Sequence, residues 1–595
     1  MKQPLSSFRR AISASLCAVL VSGTIFNLPA QRALADSDVE EKITPSSFTY
    51  VPGLSVIEWN EEENQTVCRE ASTEERELFS VSQPAEEMNV LSSVEAREAE
   101  NAEAADEGLN IILRGTAQLN NFPQARDAFI RAANIWKSFI KTPITIIVDV
   151  DFGPTRFGTP YPRNVLGSTN PQVLLGTNVY PGYRQSLIDS ASSDDQQTLF
   201  RLLPADAINT VFGSTRNVSV PTSVLRAIGI FPPVANPQTE SVFGPPPSVG
   251  FNSVFRYDFD PSDGITSNAT DFEAVAVHEI GHALGFISDT GLREFVPNYP
   301  NTVSNWDLFR TGAFSFYGAL PNLPRVTSVF SEADFTWIRN GQNLNLGMAT
   351  GGDGTQPSHW KHEFFTRKHI GIMDPVANSG FRYSLTVNDL AAIEAFGFKV
   401  DPNAVKNLPV ISSFSASLDG DAIRLRGAVL DGDKDPRRLQ LIFYDQNNFP
   451  IVSTGQIAVP FDSSGKFEVT LFGLDFFPEV TSVTVYAIDS KANRTPSELA
   501  DFSQPTPGGG PVITDARLNF QSFTITGNLF DHQPLQVEIN GIIVAPPLRI
   551  QFISPGRSFR IVGPKSALGL FPGPNRIRVR SGGKWSNIFV LNIAG

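Results

Sequence analysis

The sequence predicts an α+β domain over residues 108–403, followed by two all-β sandwich domains at 404–504 and 512–595. Three observations carry this division. Helical and strand-like periodicities are mixed up to about residue 403. Beyond Asn407 they give way to short alternating apolar runs separated by turn residues. The run PTPGGGP at 505–511 then splits the alternating region as a linker. The 595-residue length admits about four domains. With 41% hydrophobic and 18% charged residues, the chain has globular composition. A formal net charge of -14 argues against sequence-independent nucleic-acid binding and against an anionic membrane surface.

Residues 1–35 read as a secretory signal peptide. Lys2, Arg9 and Arg10 precede an apolar run from Ala11 to Phe26, and Ala33-Leu34-Ala35 supplies small residues at the cleavage position. The run is shorter than the roughly 20 residues a membrane span needs. The expected product is exported to the periplasm, cell surface or medium, with no transmembrane anchor after cleavage. Cys17 lies within the signal, which leaves Cys68 alone and without an internal disulfide partner. Residues 36–107 form an acidic leader with Glu61-Glu62-Glu63, Glu74-Glu75 and Glu86-Glu87. Its charge and few aromatics predict loose order, as a spacer or removable prosegment.

Order is expected from Gly108. Phe129, Ala132, Ala133, Trp136, Phe139 and Ile140 fall at helical spacing within 125–140. Pro143 stops that helix, and ITIIVDV at 144–150 has the composition of a buried strand. Residues 152–250 are rich in Gly, Pro, Asn and Ser. They predict short strands and loops, with a helix near Ser192–Leu203. TVNDLAAIEAFG at 386–397 predicts a short helix capped by Thr386 and stopped by Gly397. The runs AIRLRGAVL, LQLIFYD, KFEVTLFGL and TSVTVYAID predict the first sandwich, of immunoglobulin-like type. SFTITGNLF, PLQVEINGIIV and RIRVRSGG predict the second, whose phrasing resembles the IPT/TIG immunoglobulin-like modules.

The chemistry concentrates in AVAVHEIGHALGF at 274–286. Thr270-Asp-Phe-Glu273 has the form of a capping box, so a helix should begin there. His278 and His282 are one turn apart and project from one face. Two neutral imidazoles so placed can hold one zinc ion, and Glu279 between them is free to act as a general base. Gly285 is suited to a left-handed turn that ends the helix. A catalytic zinc usually takes a third protein ligand. The third residue past Gly285 is Ser288, a poor ligand, and Asp289 is one place out of register. Three more histidines lie in SHWKHEFFTRKHIGIMDP: His359, His362 and His369.

HEIGHALGF, a distant SHWK and the turn-like Ile372-Met373-Asp374-Pro375 together resemble the metzincin zinc peptidases, and the leishmanolysin family in particular. The resemblance covers roughly 108–400. It implies a metzincin-like α+β fold, zinc held by His278, His282 and His359, Glu279 as general base, and Met373 as an apolar floor. His369, His362 and Asp289 stand as alternative ligands. No tyrosine follows Met373 closely, and Tyr383 is the nearest. Cys68 could act as a zymogen switch by placing its thiolate on the metal. Asp258, Asp260 and Asp263, and again Asp431, Asp433 and Asp435, make calcium a second candidate cation, although the spacing favours a plain acidic turn in the first run and a hairpin turn of the sandwich in the second.

The expected function is secreted zinc endopeptidase activity on proteins or peptides, with the sandwiches binding a surface or matrix ligand or acting as spacers. The alternative is an adhesion protein whose zinc domain is inactive or hydrolyses a non-peptide bond. An intact Glu279 speaks against a retired site.

Overall fold

The computed structural model describes residues 43–61, 64–80, 88–91, 108–236 and 241–593, apart from short segments after residue 296 and the stretch 503–511. The signal peptide with Cys17, the remainder of the leader, the linker and His532 lie outside the described residues. Among those described, no helix is long and apolar enough to cross a membrane.

An eight-stranded sheet organises the first domain. Its order is Val376–Asn378, Gln65–Glu70, Ser55–Asn60, Val165–Asn170, Ser248–Asn252, Thr145–Gly153, Asn110–Gly115 and Asn89–Val90. Asn110–Gly115, Thr145–Gly153 and Ser248–Asn252 run parallel, while Val165–Asn170 runs antiparallel to its neighbour. Parallel neighbours need a crossover. Helix Pro123–Phe139 provides the first one and buries Ala125, Ala128, Phe129, Ala132, Ala133 and Trp136. It begins two residues before the first apolar repeat because Pro123 suits the first turn. Thr145–Gly153 is buried along its whole length, as its apolar run predicts. Its two acids are matched. Asp149 pairs with Arg114 at 2.7 Å, and Asp151 accepts from Thr116, Gln118 and the Phe157 amide.

The helix expected near 192–203 is Asp194–Leu202, capped by Ser193. Val387–Ala395 is capped by Thr386 in a full capping box with Asp389. Two further helices, Tyr180–Ser190 and Thr222–Ala227, stand where the composition predicts loop. In the first, Tyr180, Tyr183 and Leu187 bury one face despite Gly182, so packing overrides propensity.

The described part of the leader is folded, contrary to the expectation of loose order. Ser55–Asn60 and Gln65–Glu70 form an antiparallel hairpin inside the large sheet, and Phe48–Val51 joins a second sheet beside Val173–Gly176. The average acidity hides the apolar positions that fold it. Val56, Ile57 and Cys68 are buried, while Glu58 and Glu75 clamp Arg69. Without the hairpin, Val165–Asn170 would be an open sheet edge, because Val376–Asn378 pairs only through Gln65–Glu70.

The C-terminal region forms two successive pairs of sheets, each enclosing its own apolar core. The turn at 431–435 joins strands of two different sheets and is not the hairpin its sequence suggests. The first pair is more than a spacer, because it meets the first domain along a polar seam. His369 and Ser497 exchange two hydrogen bonds, of 2.7 and 2.9 Å. Thr484 donates to the Arg367 carbonyl, Arg367 pairs with Asp501, and Tyr486 donates to Glu363 at 2.7 Å. Phe381 packs beside Ile442, Tyr444 and Tyr486. Each such bond contributes on the order of 1 kcal/mol. Ending the chain at 403 should therefore lower the melting temperature of the first domain by about 10 °C or more. Ending it at 502 should leave that transition in place, and circular dichroism melts of both truncations check this.

Candidate metal centre

The helix carrying the two motif histidines is Phe272–Leu284, and all of its residues are buried. Its cap differs from the capping-box reading. Asp271, not Thr270, accepts the Ala274 amide at 3.0 Å. Glu273 is held by Arg131 and Arg382, at 2.5 and 2.7 Å, and so is unavailable as a capping partner. Gly281 in the helix interior has a packing cause. A Cβ there would lie 2.6 Å from Met373 Sδ, so Met373 lies directly beneath the motif. Gly285 ends the helix at φ 134°, a backbone conformation that favours glycine.

Three imidazoles meet above Met373. The ring centroids of His278, His282 and His359 lie 4.8–5.1 Å apart. Each ring has its Nδ1 against a backbone carbonyl: His278 on Ile372 at 2.8 Å, His282 on Phe286 at 2.6 Å and His359 on Gln356 at 3.0 Å. A carbonyl only accepts, so each Nδ1 carries the proton and each Nε2 presents a lone pair. Nε2 of His278 and Nε2 of His359 approach to 3.0 Å, and Nε2 of His282 has no partner among the described residues. Burial keeps the rings neutral, lowering the pKa of His278 to about 4 and that of His282 to about 3, with His359 well below its ordinary value. Both Glu279 oxygens are buried without a hydrogen-bond partner among the described residues, Oε1 lying 3.9 Å from His278 Nε2. Desolvation pushes this carboxyl up to about 7. Convergent lone pairs and an orphaned carboxylate are costly as mere packing. They could hold a metal ion that accepts nitrogen ligands.

Cys68 completes the cluster. It is buried, its Sγ lies 3.6 Å from His278 Nε2, and its thiol groups with His278 and His359 as a potential ligand set. Its amide donates to the Pro375 carbonyl at 2.8 Å, which fastens the leader hairpin beside the Met373 turn.

The alternative ligands lie elsewhere. His362 Nδ1 is 2.7 Å from Asp374, and His369 faces the same carboxylate at 3.8 Å, so both are turned away from the trio. Asp289 accepts from Ser219, while its amide donates to Asp307. The Tyr383 hydroxyl accepts from Asn378. Asp258 and Asp260 accept hydrogen bonds from their own turn: Asp258 from the Asp260 amide and from Thr266, Asp260 from Ser262. Asp431, Asp433 and Asp435 do gather, with carboxylate oxygens within 4.8 Å, although Lys491 pairs with Asp433.

One site residue absent from the sequence reading is Asp389. It is fully buried and accepts from Trp360 Nε1, the amides of Ile372, Met373 and Thr386, and the Thr386 hydroxyl. It therefore ties the residue after His359 to the Met373 turn. Its sequence signal is the Thr386-x-x-Asp389 box. Asp389→Ala strands several buried donors and should cost about 3–5 kcal/mol in urea denaturation of the metal-free chain.

No family model matches the sequence, and no curated protein matches it in a sequence search.

Proposed function

We propose that this chain is a secreted zinc-dependent endopeptidase of metzincin type, kept latent by its own leader. One observation carries the reading: three imidazoles, each with Nδ1 fixed on a carbonyl, converge their Nε2 atoms beside the buried carboxyl of Glu279. His278, His282 and His359 would hold the ion. When bound, zinc supplies a Lewis acid for a peptide carbonyl and acidifies the attacking water. Glu279 accepts that water's proton and returns it to the departing amine nitrogen. Met373 shields the underside from solvent. The leader hairpin fills the space between Val165–Asn170 and the Met373 segment, and Cys68 offers a thiolate as a further ligand. The C-terminal sandwiches, read as immunoglobulin-like and IPT/TIG-like, would add a surface- or matrix-binding role.

The test measures zinc by elemental analysis and casein cleavage on the purified chain after leader removal. About one zinc per chain is expected, with cleavage lost on chelation and restored by zinc. A chain that takes up no zinc on reconstitution would overturn the proposal.

A further inference from the structure

His359 reaches the site at the end of a long excursion that begins after Gly285. The metal helix cannot place it, so something else must. We propose that Arg310 is the positioning residue that sets His359 against the metal helix. The inference rests on the zinc reading above.

Arg310 and Asp307 are both fully buried. Arg310 Nε donates to Asp307 at 2.8 Å, Nη1 to the Ala349 carbonyl at 2.9 Å and Nη2 to the Pro357 carbonyl at 2.6 Å. The last two acceptors bracket the approach to His359. The Ala349 amide donates to the His359 carbonyl at 3.1 Å. Pro357 follows Gln356, whose carbonyl fixes the His359 ring. Asp307 faces the other way, accepting from the Ser288 hydroxyl at 2.8 Å and the Asp289 amide at 2.7 Å, just past the end of the metal helix. A direct strap, the Ser288 amide on Ser358 Oγ at 3.0 Å, runs parallel to this bridge. The Asp307–Arg310 pair thus joins the exit of the two-histidine helix to the segment bearing the third histidine.

A buried ion pair is a weak source of stability compared with apolar packing of the same volume. Its distinctive property here is geometry. A planar guanidinium serves three acceptors in fixed directions, and a lysine ammonium cannot span them. The ligands to a metal bind tightly only when their outer supports hold them, and losing such a support typically costs about 10–100-fold in metal affinity.

Arg325 supplies the control. It is equally buried and donates to the carbonyls of Leu308, Leu320 and Leu323, none of which lies in the His359 segment. Full-length Arg310→Lys and Arg325→Lys would be compared for zinc dissociation constant, by chelator competition, and for melting of the metal-free chain. Both should melt earlier than wild type. Arg310→Lys should lose about 10–100-fold in zinc affinity, whereas Arg325→Lys should stay within about threefold. Equal zinc affinities for Arg310→Lys and wild type, or equal losses in both variants, would overturn the inference. If Arg310→Lys does not fold, Asp307→Asn decides, because it breaks the same bridge at its other member: weaker zinc binding supports the positioning bridge and unchanged binding overturns it. A wild-type chain that binds no zinc would overturn the proposed function itself, which is a separate result from unaltered binding in the variant.

Discussion

Replacing Cys68 with alanine should raise peptidase activity of the unprocessed chain by at least about tenfold, equivalent to about 1.4 kcal/mol of lost inhibition. The thiol is buried, and desolvation together with the nearby Glu279 and Asp374 charges pushes its pKa well up. Metal-free, it is therefore a neutral thiol. Zinc on the neighbouring imidazoles would favour the thiolate, since coordination deprotonates a thiol outright. A ligand tethered by a folded hairpin competes with water at a high effective concentration. The alanine variant removes that ligand but keeps the backbone, because the hairpin is held by its own ladder and by the Cys68 amide on Pro375. Activation should accordingly be partial. Ser55–Asn60 still lies on Val165–Asn170, so removal of the leader should raise the rate further. Initial rates on casein for the unprocessed wild type, the unprocessed variant and the leader-free chain check this. Equal rates for the first two would mean that the thiol does not guard the metal.

The parts of this molecule legible from sequence are those governed by local spacing. His278 and His282 share a face because a helix turns every 3.6 residues, and Gly285 stops that helix because it tolerates positive φ. The cap slipped by one residue, from Thr270 to Asp271, because Glu273 answers to Arg131 and Arg382 across the fold. Those arginines are remote in sequence. The third candidate ligand has no local rule at all. Spacing left His359, His362, His369 and Asp289 open, and only the resemblance at SHWK favoured His359. The structure separates them through long-range partners: Asp374 takes His362 and faces His369, and the Ser219 hydroxyl takes Asp289. The order of the leader escapes its composition for a related reason. Its average composition is that of a solvated tail, yet a six-residue strand needs only a few apolar positions, here Val56 and Ile57, and a partner edge to fold. Val165–Asn170 supplies that edge from about a hundred residues away.

Glu279→Gln should lower kcat on casein by about 10³-fold or more while leaving zinc content near one per chain. The two side chains have nearly the same shape, so the three imidazoles, anchored on the carbonyls of Ile372, Phe286 and Gln356, keep their places. Only the capacity to accept and return a proton is lost. A structural role for Glu279 predicts a different pair of results: lower stability and lost zinc. The site geometry points the other way. Both carboxylate oxygens are buried without a hydrogen-bond partner among the described residues, and desolvation, opposed by the nearby Thr169 hydroxyl, pushes the group up to about 7. Burying an unpartnered ionisable group opposes folding, so the neutral amide should raise the stability of the metal-free chain by about 1 kcal/mol. Urea denaturation of metal-free wild type and variant, beside zinc analysis and initial rates, separates the two roles. A residue that costs stability and leaves metal binding intact, yet whose loss abolishes turnover, is retained for its chemistry. A variant that kept wild-type turnover would remove Glu279 from the reaction.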